Sequence, residues 1–247
     1  TMIFRACILL CFGLLSCQVP QPTHQFAGDS VMHTDRLEAD HARDAERNPV
    51  AVLDFFGIQP GMTVADVMAG DGYYTELLSR IVGSDGTVYC QNTAIPLRVF
   101  AEAPLTARLA GDRLPNVERL DMEFTDGGYP TNLDVAILIR FYHDFQWQEV
   151  DRKAFNELMF ASLKPGGVFG VVDHHAKQGA GISEGKRLHR VEADFLQAEI
   201  EAAGFVLEDQ SMVLTDATDT LDWSIFDPEH EGRDTTSRFV YLFRKPL

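Results

Sequence analysis

The chain has 247 residues, 45% of them hydrophobic and 23% charged, enough for one full-sized globular core. Its 37 Asp and Glu outnumber its 21 Lys and Arg, for a formal net charge of -16. A surface that acidic repels phosphate backbones, so nucleic acid is excluded as the expected partner.

At the N-terminus, Arg5 precedes an apolar run from Ala6 to Leu15. The run is too short to cross a bilayer but suits the core of a signal peptide. It ends in "LLSC", which resembles the lipobox of bacterial lipoproteins and implies lipidation and membrane attachment at Cys17. Residues 1–17 are therefore expected to be a signal segment, 18–33 a tether, and 34–247 the folded domain, exported and anchored on the periplasmic side of the bacterial cell envelope. The alternative is a cytoplasmic protein that starts at Met32. Only Cys90 lies beyond this region, so no disulfide framework and no cysteine metal site is expected.

Thr34 to Arg47 carries charge at nearly every other position and reads as an exposed helix. Asn48 and Pro49 read as the N-cap and first residue of a short helix to Phe56, ended by Gly57. Thr63 to Met68 is a buried strand, followed by a glycine loop and a helix to Val82. Thr87 to Gln91 is a second strand. Pro96 to Ala110 is helical in composition but interrupted at Pro104. Val117 to Phe124 is a third strand, and Asp134 to Ile139, "DVAILI", a fourth with the apolar run of a strand covered on both faces. Gln146 to Leu163 is a helix, Val168 to Asp173 a fifth strand, and Val191 to Ala203 an amphipathic helix. Phe205 to Val213 and Arg238 to Arg244 are late strands. This alternation predicts a single α/β domain with a doubly wound, mainly parallel sheet and an antiparallel C-terminal edge hairpin. The loop Thr215 to Thr236, with Trp223, Phe226 and Pro228, reads as a lid or as a segment packed on the sheet.

Ligands of open parallel sheets bind at the carboxyl ends of the strands. "VADVMAGDGYYTELL", Val64 to Leu78, places Asp66, Gly70 and Gly72 there. The stretch resembles the first motif of class I S-adenosylmethionine-dependent methyltransferases, an apolar pair and an acid before GxGxG. Met68 stands in place of the first glycine. The likeness continues through "GSDGTVYCQN", "NVERLDMEFTDGGYP", "LDVAILIRFYHDF" and "LKPGGVFGVVDHHA", and is greatest to a group of bacterial methyltransferases with a lipoprotein-type signal.

The resemblance implies a Rossmann-like fold and methyl transfer from S-adenosyl-L-methionine to a small-molecule acceptor. Asp66, Gly70 and Gly72 would hold the methionine end, with Ala69, Asp71 and Tyr74 beside them. Asn92 takes the place of the acid that binds the ribose, without a carboxylate's charge-assisted strength. Glu123 takes the place of the acid that meets the adenine, and Phe124 would cover the ring. Arg140 and Tyr142 would line the site at the end of the fourth strand.

"FYHDF" and "VVDHHA" place His143 with Asp144, and Asp173 with His174, past adjacent strands. Imidazole suits proton transfer near neutral pH. His143 is the first candidate for base or orienter and His174 the second, with Asp144 or Asp173 fixing a tautomer. Asp144 equally suits a helix N-cap. His143, Asp173, His174 and His189 are ligand types that suit zinc or iron, but no HExxH-type spacing supports them, and no metal ligand is assigned. Because S-adenosylmethionine is made in the cytosol, an exported protein would not ordinarily meet it. That keeps two rivals open: an envelope lipoprotein that binds another ligand on a degenerate scaffold, and a metal-dependent hydrolase that uses His143 and His174.

Overall fold

The structure is a computed structural model and describes residues 23–230 and 235–247. The apolar run, the lipobox-like end and Cys17 lie outside the described residues. Seven strands form one sheet: Thr63–Val67 (β1), Thr87–Asn92 (β2), Val117–Asp121 (β3), Leu133–Ile139 (β4), Leu163–His174 (β5), Val206–Ser211 (β6) and Arg238–Arg244 (β7). Their order is β3-β2-β1-β4-β5-β7-β6. The first five run parallel, and β7 lies antiparallel between β5 and β6. This is the expected doubly wound α/β sheet with its antiparallel edge.

The period of two along each strand explains how one sheet serves two cores. Ala65, Val67, Ala136 and Leu138 join one cluster with Phe155 and Phe169. Val64, Val135, Ile137 and Val168 join the other with Leu77, Leu78 and Phe56. Thr23–Val31 (α1), Pro49–Phe55 (α3) and Tyr73–Val82 (α4) cover the second face, and Arg152–Ser162 (α7) and Ala193–Glu201 (α9) cover the first.

Several elements differ from the sequence expectation. Part of the expected tether is α1, which buries Ala27, Ser30 and Val31 along one face. Glu38–Arg47 (α2) is exposed along one side, as expected, but buries Asp40 and Arg47 on the other. Asn48 does not cap with its side chain. It adopts the left-handed conformation at φ 41° and ends α2, its N–H donating to Asp44 O. The interruption expected at Pro104 falls upstream of it. Ala94–Pro96 (α5) and Glu102–Leu109 (α6) flank a π-helical segment, Leu97–Ala101, in which the Glu102 N–H donates to Leu97 O. The N-cap of α7 is Asp151, which accepts from the Ala154 N–H. Asp144 sits instead in a 3-10 turn, Tyr142–Phe145. A short helix, Gly185–Leu188 (α8), completes the set.

Candidate functional site

A cavity of about 450 Å³ opens at the carboxyl ends of β1, β4 and β5. It sits where the chain reverses its order of strand addition, between β1 and β4. Its floor is Asp66, Met68, Ala69 and Gly70. Met68, the residue in place of a glycine, holds φ 54°, the left-handed backbone that glycine would take freely. It keeps that conformation because its N–H donates to Gln91 Oε1 at 3.1 Å and its side chain is buried in the core.

Asp66 is 2% exposed, and Thr75 Oγ1 donates to its Oδ2 at 2.6 Å. Burial pushes its pKa up to about 7. Among the described residues it makes no ion pair, although Arg43, Arg47 and Arg140 line the same cavity.

The Ala69 and Gly70 main-chain amides of the loop are turned into the protein. Ala69 N–H donates to Gln91 O at 2.9 Å, and Gly70 N–H to Asn92 Oδ1 at 2.8 Å. Asn92 Nδ2 also donates to Gly70 O at 3.1 Å. Both ends of the Asn92 amide thus hold the glycine loop, and the residue is buried away from the cavity, which corrects its expected ribose role. Gly72 serves packing, since a Cβ there would lie 2.9 Å from Leu105 and 3.0 Å from Arg108. Glu123 is exposed and accepts from the Ala94 N–H at 2.8 Å, so it caps α5 and lines no part of the cavity. Phe124 packs against Phe145 and Phe155 on the other face of the sheet. Tyr142 points the same way, donating to Glu199 Oε2 and accepting from Asn156 Nδ2. Asp71, Tyr74 and Arg140 do reach the cavity wall.

The wall also contains residues that the sequence did not single out. Arg43 Nη1 donates to Asp71 Oδ2 at 2.6 Å and to Asp40 Oδ1 at 3.0 Å. Arg43 and Arg47 stand over the Tyr73 ring, 4.6 and 4.5 Å from its centroid. Arg108 joins the loop to this helix: its Nε donates to Asp71 O, and its Nη1 to Asp40 Oδ2 and Glu76 Oε2, each at 2.7 Å. Burial would raise the Glu76 pKa, but bonds from Arg113, Arg80 and Arg108 outweigh it and hold the carboxyl at about 2. Arg108→Met is expected to cost about 2 kcal/mol in urea unfolding, since Arg43 still serves Asp40, and Arg80 and Arg113 still serve Glu76. A change below 0.5 kcal/mol would show that the network adds nothing.

The histidines converge as expected, but in unequal states. His143 is 2% exposed. Its Nδ1 lies 2.6 Å from Asp173 Oδ1, its backbone N–H donates to Asp173 Oδ2, and its Nε2 lies 3.2 Å from Asp144 Oδ1. Burial pulls its pKa down, but the two carboxylates more than offset this and raise it to about 10. Of the two expected roles, base or orienter, an imidazolium held between two carboxylates fits the orienter. Burial drives His174 well below the usual imidazole range, so it is neutral. Its Nδ1 meets Thr236 Oγ1 at 2.6 Å, and its buried Nε2 has no hydrogen-bond partner among the described residues.

The long β6–β7 loop packs on α8 and closes one side of the cavity with Ile225 and Phe226. Ile225 N–H donates to Leu188 O at 3.3 Å. Trp223 stacks on His230 at 4.1 Å, and Arg190 lies 4.9 Å from the Trp223 ring.

No protein-family model matches this sequence, and no curated protein sequence does. Solved structures share its fold. One is a SAM-dependent methyltransferase from Aquifex aeolicus, 22% identical over 84% of this chain and 95% of that one, with a TM-score of 0.59. Another is a protein provisionally assigned as a sarcosine dimethylglycine methyltransferase from Galdieria sulphuraria, 14% identical over 84% and 88%, TM-score 0.58. A third is the [4+2]-cyclase SpnF, 16% identical over 83% of each chain, TM-score 0.59. The architecture is therefore the class I methyltransferase fold. That the fold also carries a cyclase leaves the reaction to be argued from the site.

Proposed function

We propose that the protein binds S-adenosylmethionine in this cavity and transfers its methyl group to a small-molecule acceptor. The observation that carries the reading is Asp66, a buried carboxylate on the cavity floor bonded to the Thr75 hydroxyl instead of to a cation. An uncompensated carboxylate at the end of the first strand suits a cationic ligand group. Arg47 and Arg140 on the cavity wall suit a carboxylate. Together they match the zwitterionic end of the cofactor. The exposed faces of Phe100 and Pro104 border the cavity and suit a planar base.

When bound, S-adenosylmethionine supplies a methyl group on a sulfonium for in-line displacement. The protein's part is to hold the acceptor and receive its proton. His174 is our candidate to receive that proton, because it borders the cavity and its Nε2 has no hydrogen-bond partner among the described residues. His143 fixes the neighbouring carboxylates, and Ile225 and Phe226 keep water from one side.

In a thermal or urea melt of the whole chain, S-adenosylmethionine or its demethylated product at a hundred times its dissociation constant should add about 2.7 kcal/mol. No shift at millimolar ligand would sink the reading. The second reading, a scaffold that binds another cationic ligand without catalysis, is favoured by Asn92, whose amide serves the loop instead of a ribose. The same melt decides between them.

A further inference from the structure

We propose that His143, Asp144 and His189 form a site for one divalent first-row transition-metal ion, of the zinc or ferrous-iron type, open to the cavity. The three side chains can offer ligand atoms that all lie within 4.8 Å of one another. Asp144 Oδ1 lies 3.2 Å from His143 Nε2 and 2.8 Å from His189 Nδ1. With metal–ligand bonds of about 2.0–2.1 Å, tetrahedral ligand atoms stand roughly 3.3 Å apart, so small side-chain movements would seat an ion.

The backbone is shaped to bring these residues together. His189 is 45 residues from Asp144 in sequence. It reaches the site because α8 presses on the 3-10 turn, where a Cβ at Gly185 would collide with the carbonyl oxygen of His143. His189 itself holds φ 56°, an uncommon conformation for a non-glycine residue and one found at constrained sites.

Outer partners fix the donors. Asp173 takes both the Nδ1 and the backbone N–H of His143, which aims Nε2 at the proposed ion, the usual carboxylate–histidine–metal arrangement. Trp147 Nε1 donates to Asp144 Oδ1 at 2.7 Å and holds that carboxylate. The ion would displace the proton that His143 otherwise carries between the carboxylates, and Asp144 and Asp173 would then balance a divalent charge with both imidazoles neutral. Two imidazoles and one carboxylate leave coordination positions open. His143 and Asp144 border the cavity, and the Phe226 ring stands edge-on to His189 at 4.8 Å, walling the cluster on that side. The open positions suit an oxygen donor. If the methyl-transfer reading holds, that donor is a hydroxyl or carboxylate of the acceptor.

The rival is a purely structural His–Asp–His hydrogen-bond chain, with a proton where the ion would sit. The test uses the tag-free whole chain, stripped with a chelator, and metal alone. Zn²⁺ is titrated by calorimetry and Co²⁺ by visible absorption. The expected result is one ion per chain, with Co²⁺ bands of low coordination number. His189→Asn keeps a residue that tolerates the left-handed backbone and should weaken binding about 100-fold or more. Asp173→Asn should weaken it about 10- to 100-fold. His230→Gln should change nothing. Absence of saturable binding up to millimolar ion overturns the proposal. So does one-to-one binding that His189→Asn leaves intact while circular dichroism shows a folded protein. No cofactor is added, so failure here leaves the methyl-transfer reading untouched.

Discussion

Asp219→Ala should lower the unfolding free energy by about 3–5 kcal/mol, read from urea denaturation, the cost of removing one partner from a fully buried ion pair. The side chains of Arg190 and Asp219 are both 0% exposed, and their Nη1–Oδ2 distance is 2.8 Å. Arg190 also donates to the carbonyls of His175 and Trp223, and the Ser237 N–H donates to Asp219 Oδ2. The pair therefore joins the residues after β5, the long β6–β7 loop and the residue before β7. Without the carboxylate, the guanidinium stays buried beside an empty space, and the loop loses its anchor. Limited proteolysis should then cut between residues 215 and 230 faster than in the parent protein. Asp219→Asn keeps acceptor and shape and should lose less. A loss under 1 kcal/mol for the alanine variant would mean that water reaches Arg190 and that the loop is held by Trp223 and Ile225 alone.

The architecture was legible because it depends on local composition. "DVAILI" is β4 extended by one residue, Leu133, and Arg238 to Arg244 is β7 without change. The glycine loop was legible for the same reason: left-handed backbone at Gly70 and Gly72 needs residues of that kind. The contents of the site were less so, because side-chain partners far apart in sequence decide them. Asp40, Arg43, Asp44 and Arg47 share one face of α2 at helical spacing, a stripe that reads as solvated until Arg108 and Asp71 are seen to meet it. Asn92 has the right position for a ribose and the wrong orientation, because the Gly70 peptide takes both ends of its amide. Tyr142 and Arg140 stand two residues apart, yet the 3-10 turn sends Tyr142 to Glu199 and leaves Arg140 at the cavity. His189 lay outside every strand-end pattern. The only sign of it was its residue type, since Gly185, which lets α8 approach, looks like any turn glycine.

Asp66→Asn should stabilise the protein at pH 8 by up to about 4 kcal/mol while weakening ligand binding. In the unfolded chain the carboxyl has its ordinary value of 3.8, and burial pushes it up to about 7 in the folded state. Between those two values the native state holds a proton that the unfolded state has released, so stability falls as pH rises through the window. Above pH 7 the penalty levels off at roughly 4 kcal/mol. Asparagine is neutral and nearly isosteric, and its side-chain oxygen can still accept from the Thr75 hydroxyl. Parent and variant should therefore agree near pH 4 and separate progressively towards pH 8, a divergence that urea titrations at several pH values would resolve. A variant less stable than the parent at pH 8 would contradict the account of Asp66 as a strained anion. Binding should move in the opposite sense. A cationic ligand group stabilises the ionised carboxylate, so affinity for S-adenosylmethionine should rise with pH by at most about tenfold per pH unit below 7 and level off above it. The asparagine variant should lose both the affinity and its pH dependence. Greater stability with weaker binding is the signature of a buried charge kept for its ligand, and a merely structural Asp66 would produce the first effect without the second.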